Sequence, residues 1–181
     1  MKHNPARKFK VQISSVDEAK VKDSYKRGSA RDLALKLAVL KANNVSNKNK
    51  DALVVGADQV LECEGVLYDK PINFAAASSH LRALQGKQHH LISSVCVARN
   101  NEILWDFTDS VNLTMRNLSD EFIQSYLAKS GPDILSTVGG YQLEGLGAQL
   151  FSRLEGDFFT VLGLPLLPLL DFLRKEKILN T

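Results

Sequence analysis

The chain has 181 residues, a length that fits one domain, or one domain in two lobes. Apolar residues make up 44% and charged residues 24%, which is ordinary globular usage and excludes a disordered or collagen-like chain. The net charge of +3 is unevenly distributed: residues 1–50 hold 13 Lys and Arg against 4 Asp and Glu, whereas residues 51–181 hold 10 against 16. This asymmetry raises the hypothesis of a nucleic-acid-binding or phosphate-binding segment in the first quarter.

Several features of the sequence bear on its compartment. Cys63 and Cys96 form no Cys-x-x-Cys pair, which favours reduced, structural thiols. The N-terminus has no apolar signal-peptide core, and Pro165 and Pro168 interrupt the most apolar run, residues 161–173, which is too short to span a bilayer. The sequence therefore predicts a soluble, cytoplasmic protein with no membrane partner.

Hydrophobic periodicity and turn residues predict an irregular alternation of strands and helices. Apolar and polar residues alternate over residues 9–13, which predicts a strand with one buried face. Ser29 is a good N-cap for a helix that runs to about Asn44, with Leu33, Leu37 and Leu40 on one face. Residues 52–55 read as a buried strand that ends at Gly56. The later elements are a hairpin turn at Glu64-Gly65, a helix from Asn73 to Gln85, strands at 91–98 and 103–115 joined by Asn100-Asn101, a helix between Ser119 and Gly131-Pro132, a loop at 139–147, a strand at 149–155 and a helix at 166–176. This order indicates an α/β fold with a mixed sheet.

A small set of charged residues points to phosphate chemistry. Asp58 follows Gly56 at the predicted end of a strand, where α/β proteins often bind ligands, although a turn Asp that bonds its own backbone is the alternative. Lys41 lies on the polar side of its helix, and Pro71 restricts the backbone of Lys70 to extended geometry. Solvent exposure is the alternative for either lysine. Together, two lysines and a carboxylate suit phosphoryl chemistry, in which cations neutralise oxygens and carboxylates hold Mg²⁺.

Other chemistries lack their motifs. The sequence has no Gly-x-x-x-x-Gly-Lys-Ser/Thr loop, no complete dinucleotide fingerprint and no paired Cys and His at zinc-ligand spacing. His89 and His90 are adjacent on a predicted strand, so their side chains face opposite ways. The basic first quarter contains only Phe9 and Tyr25 as aromatic residues, which makes it a poor stacking platform for single-stranded nucleic acid. The sequence therefore predicts no nucleic-acid partner.

A series of motifs resembles one known family. The chain resembles the Maf family (septum-formation-inhibitor-like) over roughly residues 9–175. The motifs that carry the resemblance are Gly56-Ala-Asp-Gln-Val60, Asp69-Lys-Pro71, the Leu84 to His89 segment, Leu118-Ser-Asp-Glu121, Gly140-Tyr-Gln-Leu-Glu-Gly-Leu-Gly-Ala148, Leu154-Glu-Gly-Asp157 and Val161-Leu-Gly-Leu-Pro165.

The resemblance implies a fold, a reaction and roles for individual residues. It implies an elongated mixed β-sheet with flanking helices, two lobes around a nucleotide cleft, and a homodimer. The reaction would be Mg²⁺-dependent hydrolysis of a nucleoside triphosphate between its α and β phosphates. By motif, Asp58 takes the catalytic proton-acceptor position, and Lys41 and Lys70 take positions that contact phosphate. Asp17 and Glu18, together with Asp58, take the acidic positions near the metal.

Two further positions tune the choice of substrate in this family. They are occupied here by Gln59 and Glu144. The family branch that takes dTTP and UTP tends to have Thr and Gln at these positions, whereas this pair is similar to the branch that acts on 7-methyl-GTP. A carboxylate can accept hydrogen bonds from a guanine edge and complements the cationic methylated ring.

The sequence departs from the family pattern at its start. Members of the family begin with a strand, a Ser-x-Ser-Pro-Arg-Arg loop that grips phosphate, and a helix. This chain is expected to lack all three, with residues 1–8 as an unassigned tail and residues 9–181 as a single Maf-like domain. The alternative function is therefore a catalytically impaired, nucleotide-binding or regulatory member of the family.

Overall fold

The computed structural model describes residues 9–25 and 28–180. The predicted tail, residues 1–8, lies outside them. The helices are α1 (Glu18–Ser24), α2 (Ala30–Ser46), α3 (Phe74–Leu84), α4 (Asp120–Ser130), α5 (Phe158–Val161) and α6 (Leu166–Lys175), and the strands are β1 (Val54–Cys63), β2 (Val66–Tyr68), β3 (Gln88–Arg99), β4 (Glu102–Met115) and β5 (Phe151–Glu155). Short 3-10 turns occupy Pro132–Ser136, Val138–Gly140 and Leu146–Leu150.

The strands form one sheet in the order β2-β1-β3-β4-β5. The predicted combination of helices and strands in an α/β fold is confirmed, but every pairing among the described strands is antiparallel, whereas a mixed sheet was expected. Tight turns account for two of these four pairings. The β1–β2 and β3–β4 connections are two residues long and have positive φ angles, at Glu64-Gly65 and Asn100-Asn101, and such turns can join only antiparallel neighbours.

Helix α2 covers part of one face of the sheet. The Ser29 side chain accepts a hydrogen bond from the backbone of Asp32, which confirms the predicted N-cap, and the helix extends two residues beyond the predicted end at Asn44. Leu33 and Leu37 are buried in one cluster with Val60 of β1. Burial of this leucine stripe stabilises the helix and fixes its polar side relative to β1.

A larger hydrophobic cluster lies around α3 and α4. The side chains of Leu81, Leu84, Leu91, Leu113 and Ile123 form its centre and are at most 2% exposed. The predicted caps of these two helices are also present, since the Asn73 and Ser119 side chains accept backbone hydrogen bonds at their N-termini. The apolar clusters around α2 and around α3–α4 are separate, and the expected division into two lobes around a cleft stays a prediction.

The strand predicted at residues 9–13 does not form. Phe9, Val11 and Ile13 are 88%, 80% and 91% exposed, and no strand among the described residues pairs with this segment. The prediction was wrong because alternation supplies a face to bury, whereas a strand also needs the backbone of a neighbour. The chain just after this segment is attached to α2, where the backbone amide of Ser15 donates to Asn44 Oδ1 at 2.9 Å.

The described helices and cysteines answer two further expectations. None of these helices has both the length and the apolar character needed to cross a bilayer. Cys63 and Cys96 are buried and unpaired, as predicted.

Candidate functional site

Lys41 lies at the centre of a cluster of charged side chains. Its Nζ atom is 2.6 Å from Asp58 Oδ1 and 2.7 Å from Glu18 Oε1. The Asp58 side chain is only 6% exposed, whereas those of Lys41 and Glu18 are 21% and 36% exposed. One ammonium therefore joins three elements, α1, α2 and β1, and the sequence-predicted residues Lys41, Asp58 and Glu18 lie together.

Asp58 does not lie at the end of a strand. It is the fifth of ten residues in β1 and pairs with Ser94 of β3, so the predicted strand end at Gly56 was wrong. Gly56 instead allows α2 to pack close to β1, since a Cβ atom there would lie 2.6 Å from the Ala38 carbonyl oxygen and 2.6 Å from the Ala42 amide nitrogen. Gly56 therefore does not end the strand: it lies inside β1 and allows the helix to pack closely against the strand.

The short strand β2 gives Asp58 its access to a cavity. β2 pairs with β1 only from Leu61 to Cys63, so in the part of the chain that the structure describes no strand covers the outer edge of β1 at Asp58. A cavity of about 410 Å³ lies along this edge. Its charged lining residues are Glu18, Lys22, Lys41, Asp58, Asp69 and Lys70. Lys70 is exposed and also lines this cavity, and the structure therefore places both predicted lysines on one cavity.

Lys22 is a site residue that the sequence analysis missed. It lies on α1, lines the cavity and forms an ion pair with Asp69, the residue before Lys70. Its side chain is 25% exposed. A sequence signal existed, because Lys22 follows Glu18 by four positions and the two therefore share one face of α1. The cavity thus carries a third cation.

Asp17, which was expected near the metal, is not among the residues that line this cavity. Its side chain is the N-cap of α1 and accepts a hydrogen bond from the backbone of Lys20 at 3.1 Å. In the described ranges, 9–25 and 28–180, no group of three or more His, Cys, Asp or Glu side chains is placed to hold a metal ion. Of the three residues expected near a metal, the cavity brings together Glu18 and Asp58.

Burial and pairing shift the pKa values of this cluster in different directions. Burial raises the pKa of Asp58 above its ordinary value and outweighs the opposing effect of Lys41. Burial would lower the pKa of Lys41, but its hydrogen bonds to Asp58 and Glu18 outweigh this and raise it. Burial also acts to raise the pKa of Glu18, but Lys41 outweighs it and holds the pKa below its ordinary value. The site therefore contains a persistent cation and a buried carboxylate of increased basicity.

Gln59 lies on the opposite face of β1 from Asp58, because successive side chains in a strand alternate. It lines the main cavity and also a smaller one of about 70 Å³, which Glu144 and Tyr141 also line. Tyr141 is buried, whereas Glu144 is exposed. The two residues expected to tune substrate choice are therefore on one small cavity next to the charged one.

A larger groove, of about 690 Å³, lies between α3 and α4, away from these charges. Its lining includes Phe74, Leu127 and Arg82, and Arg82 is already paired with Asp120 at 2.8 Å. Size alone would select this groove. The cluster of Lys41, Asp58 and Glu18 instead identifies the cavity of about 410 Å³ as the candidate active site.

Lysines around a buried carboxylate, in a cleft of an α/β protein, define a class of site suited to phosphate-bearing ligands. Comparison with known proteins identifies the family: the Maf-like protein family matches residues 2–176, and the chain belongs to it.

Relatives with named activities cover most of the chain. A protein of Paramagnetospirillum magneticum named nucleoside triphosphate pyrophosphatase is 49% identical over 171 residues, which is 93% of this chain and 88% of the relative. One of the same name from Nitrobacter winogradskyi is 45% identical over 95% of this chain and 85% of its own length. A 7-methyl-GTP pyrophosphatase of Rhizobium meliloti is 44% identical over 92% of this chain and 85% of its own length.

Proposed function

We propose that this chain is a nucleoside triphosphate pyrophosphatase, which hydrolyses the bond between the α and β phosphates to release a nucleoside monophosphate and pyrophosphate. The observation that carries the proposal is the buried Asp58 carboxylate, held at 2.6 Å by Lys41 in a cavity that Lys22 and Lys70 also line. Its volume, about 410 Å³, is within the usual range for small-molecule sites. The names of the relatives support the same reaction.

Asp58 is the proposed general base. Attack on a phosphorus atom requires a water molecule to lose a proton, and a carboxylate whose pKa is raised by burial accepts a proton more readily than an exposed one. Lys41 keeps Asp58 in its ionised form and faces the cavity, where its charge opposes the negative charge that builds up on the phosphate oxygens. Lys22 and Lys70 bind the remaining phosphates.

A divalent cation, Mg²⁺, is part of the proposal. Mg²⁺ is usually held by one or two carboxylates together with substrate phosphates and water, and Glu18 and Asp58, which share the Lys41 ammonium, provide such a pair. When bound, the ion would lower the pKa of a coordinated water and neutralise phosphate charge. Asp17 contributes by capping α1, which orients Glu18.

We propose 7-methyl-GTP as the substrate. The Glu144 carboxylate lies on the small cavity beside Gln59, and it would complement the positive charge of a methylated guanine ring. A relative at 44% identity named 7-methyl-GTP pyrophosphatase supports this choice over dTTP and UTP.

Compartment and assembly complete the proposal. The two unpaired, buried cysteines support a reducing compartment, the cytoplasm. Resemblance to the Maf family supports a homodimer, which light scattering of the purified protein would test.

The reaction is tested by measuring pyrophosphate release from 7-methyl-GTP, GTP, UTP and dTTP with Mg²⁺. Wild-type protein should release pyrophosphate fastest from 7-methyl-GTP. Asp58→Asn, which keeps the shape of the side chain, should reduce the rate at least about a hundredfold. Asp23→Asn, an exposed position on α1, is the matched control and should retain the wild-type rate.

The alternatives give different results. Equal background rates for wild type and Asp58→Asn, with nucleotide binding retained, would favour a nucleotide-binding protein without catalysis. A faster reaction with UTP or dTTP would contradict the assignment of 7-methyl-GTP and leave the reaction class standing. Unchanged rates after chelation of divalent ions would contradict the role of Mg²⁺.

A further inference from the structure

The Gln59 side chain is fixed by three acceptors on one side of its amide. Its Nε2 atom lies 3.0 Å from the carbonyl oxygen of Thr160, 3.0 Å from that of Val161 and 2.9 Å from Ser93 Oγ. Backbone carbonyls cannot donate, so the group that faces them must be the NH₂ and not the amide oxygen. The amide therefore has one orientation.

Ser93 completes this arrangement from inside the sheet. Its hydroxyl donates to the Thr160 carbonyl oxygen at 2.7 Å, and its oxygen accepts from Gln59. Ser93 and Thr160 are both fully buried. Thr160 is held in turn, since its hydroxyl donates to Asp109 Oδ2 at 2.8 Å. A chain of hydrogen bonds thus runs from β4 through α5 and β3 to Gln59, and burial makes each of these bonds costly to break.

The fixed amide leaves Gln59 with one group for a ligand. Among the described residues no donor bonds its Oε1 atom, and that atom is not a buried orphan. Gln59 lines the same small cavity as the Glu144 carboxylate, which can only accept hydrogen bonds when ionised. The Gln59 Oε1 atom and the Glu144 carboxylate are therefore the acceptors that these two lining residues have available.

We propose that Ser93 is a positioning residue for nucleobase selection, which holds Gln59 with its carbonyl oxygen towards the ligand so that Gln59 and Glu144 together recognise a base with two adjacent donors. Guanine presents such an edge, the ring N1–H beside the exocyclic amino group, whereas uracil and thymine present one N–H between two carbonyl oxygens. A pyrimidine of that kind would place carbonyl oxygens against acceptors, which costs affinity. The inference rests on the proposed function for the identity of the ligand class.

Binding measurements test this inference separately from catalysis. Dissociation constants are measured by calorimetry for the non-hydrolysable α,β-methylene analogues of GTP and UTP, with Mg²⁺ present. The wild type should bind the GTP analogue more tightly. Ser93→Ala should reduce this preference roughly tenfold, mainly through weaker binding of the GTP analogue, which is the effect of about one lost hydrogen bond.

Two further variants separate positioning from general structural support. Ser94→Ala is the matched control, because Ser94 is the next residue in β3, is equally buried and bonds Thr108 instead of Gln59. It should keep the wild-type preference. Gln59→Leu should lose the preference by itself, and adding Ser93→Ala to Gln59→Leu should change it no further, because a positioning residue acts through the group that it holds.

Three outcomes of the binding measurements would overturn the inference. If Ser93→Ala weakens the binding of both analogues equally, the substitution has removed only structural support. Equal binding of the two analogues by wild type would show that the cavity does not select donors, and an additive effect in the double variant would show that Ser93 does not act through Gln59. Failure of pyrophosphate release with this preference intact would contradict the proposed function and leave the inference standing.

Discussion

Lys41 on α2 and Asp58 in the middle of β1 face each other at 2.6 Å, near the tight contact of α2 with Gly56 of the same strand. The pair is asymmetric in its surroundings, because the Asp58 side chain is nearly fully buried whereas Lys41 also contacts the more exposed Glu18. Either carboxylate alone is therefore enough to compensate the positive charge of Lys41. Asp58 depends on Lys41 for compensation of its buried charge.

Substitution Asp58→Asn should separate stability from activity. Because the folded-state pKa of Asp58 is raised, its ionised form costs stability as pH rises through the ordinary carboxyl range, and this cost persists at neutral pH. Asn removes the charge, and Lys41 keeps Glu18 as its partner. We expect a rise in the free energy of unfolding of about 1 kcal/mol at pH 7, together with loss of pyrophosphate release. Urea denaturation at pH 7 measures the change, and a clear destabilisation would show that the pair gains more than burial costs.

Lys22→Gln should weaken substrate binding. The substitution removes one of the three lysine charges that line the cavity and breaks the ion pair with Asp69. A lost charge-assisted phosphate contact corresponds to a KM increase of roughly tenfold, with a smaller change in kcat. Steady-state kinetics with 7-methyl-GTP checks this. Lys20→Gln, two residues earlier and exposed on the same helix, should leave KM unchanged, and a similar rise in both variants would indicate only a general effect of net charge.

Much of the secondary structure follows from local signals in the sequence. The Ser29 cap and the two hairpin turns act through contacts between residues near in sequence, the leucine stripe of α2 has the spacing of one helix face, and each produced the expected element. The sequence also suggested which residues to group. Lys41, Asp58, Glu18 and Lys70 line one cavity, as the family resemblance implies.

Long-range geometry set the limits of prediction. Gly56 was predicted to end a strand, but a glycine is needed there because α2 packs closely against it. The residues of α2 that make this contact are more than ten positions away, so no local pattern shows it. Residues 9–13 have the alternation of a strand but no paired neighbour among the described strands. The orientation of Gln59 depends on Ser93 and on backbone carbonyls about a hundred positions later, which no local pattern reveals.

Gly56→Ala tests the close packing that brings Lys41 to Asp58. The added methyl group would lie 2.6 Å from the Ala38 carbonyl oxygen, so α2 would have to move away from β1. We expect a loss of about 1–3 kcal/mol in the free energy of unfolding and a lower kcat, since Lys41 would move with the helix. Gly145→Ala is the control, because its added methyl group would meet no atom within 4 Å beyond its chain neighbours, and its φ angle is negative. Chemical denaturation and steady-state kinetics of both variants provide the measurement, and wild-type behaviour of Gly56→Ala would contradict the packing argument.

His89 should make the stability of the protein depend on pH. The ring is fully buried, its Nε2 atom bonds the Tyr141 hydroxyl at 2.7 Å, and burial lowers its pKa from 6.5 to about 4. In the unfolded chain the imidazole gains a proton as pH falls through 6.5, whereas in the folded protein it stays neutral until pH is near 4. The unfolded state therefore binds more protons in this window, and stability must fall as pH falls, by at most roughly 3 kcal/mol from this group.

His89→Gln keeps a hydrogen-bonding side chain without the titration, so its stability should be lower at pH 7 but should change less between pH 7 and 4. Urea unfolding of wild type and His89→Gln across this pH range measures the difference in their free energies of unfolding. The carboxyl groups titrate in both proteins, so their contributions cancel in this difference. Parallel pH profiles would show that His89 is protonated as readily in the folded protein as in the unfolded chain.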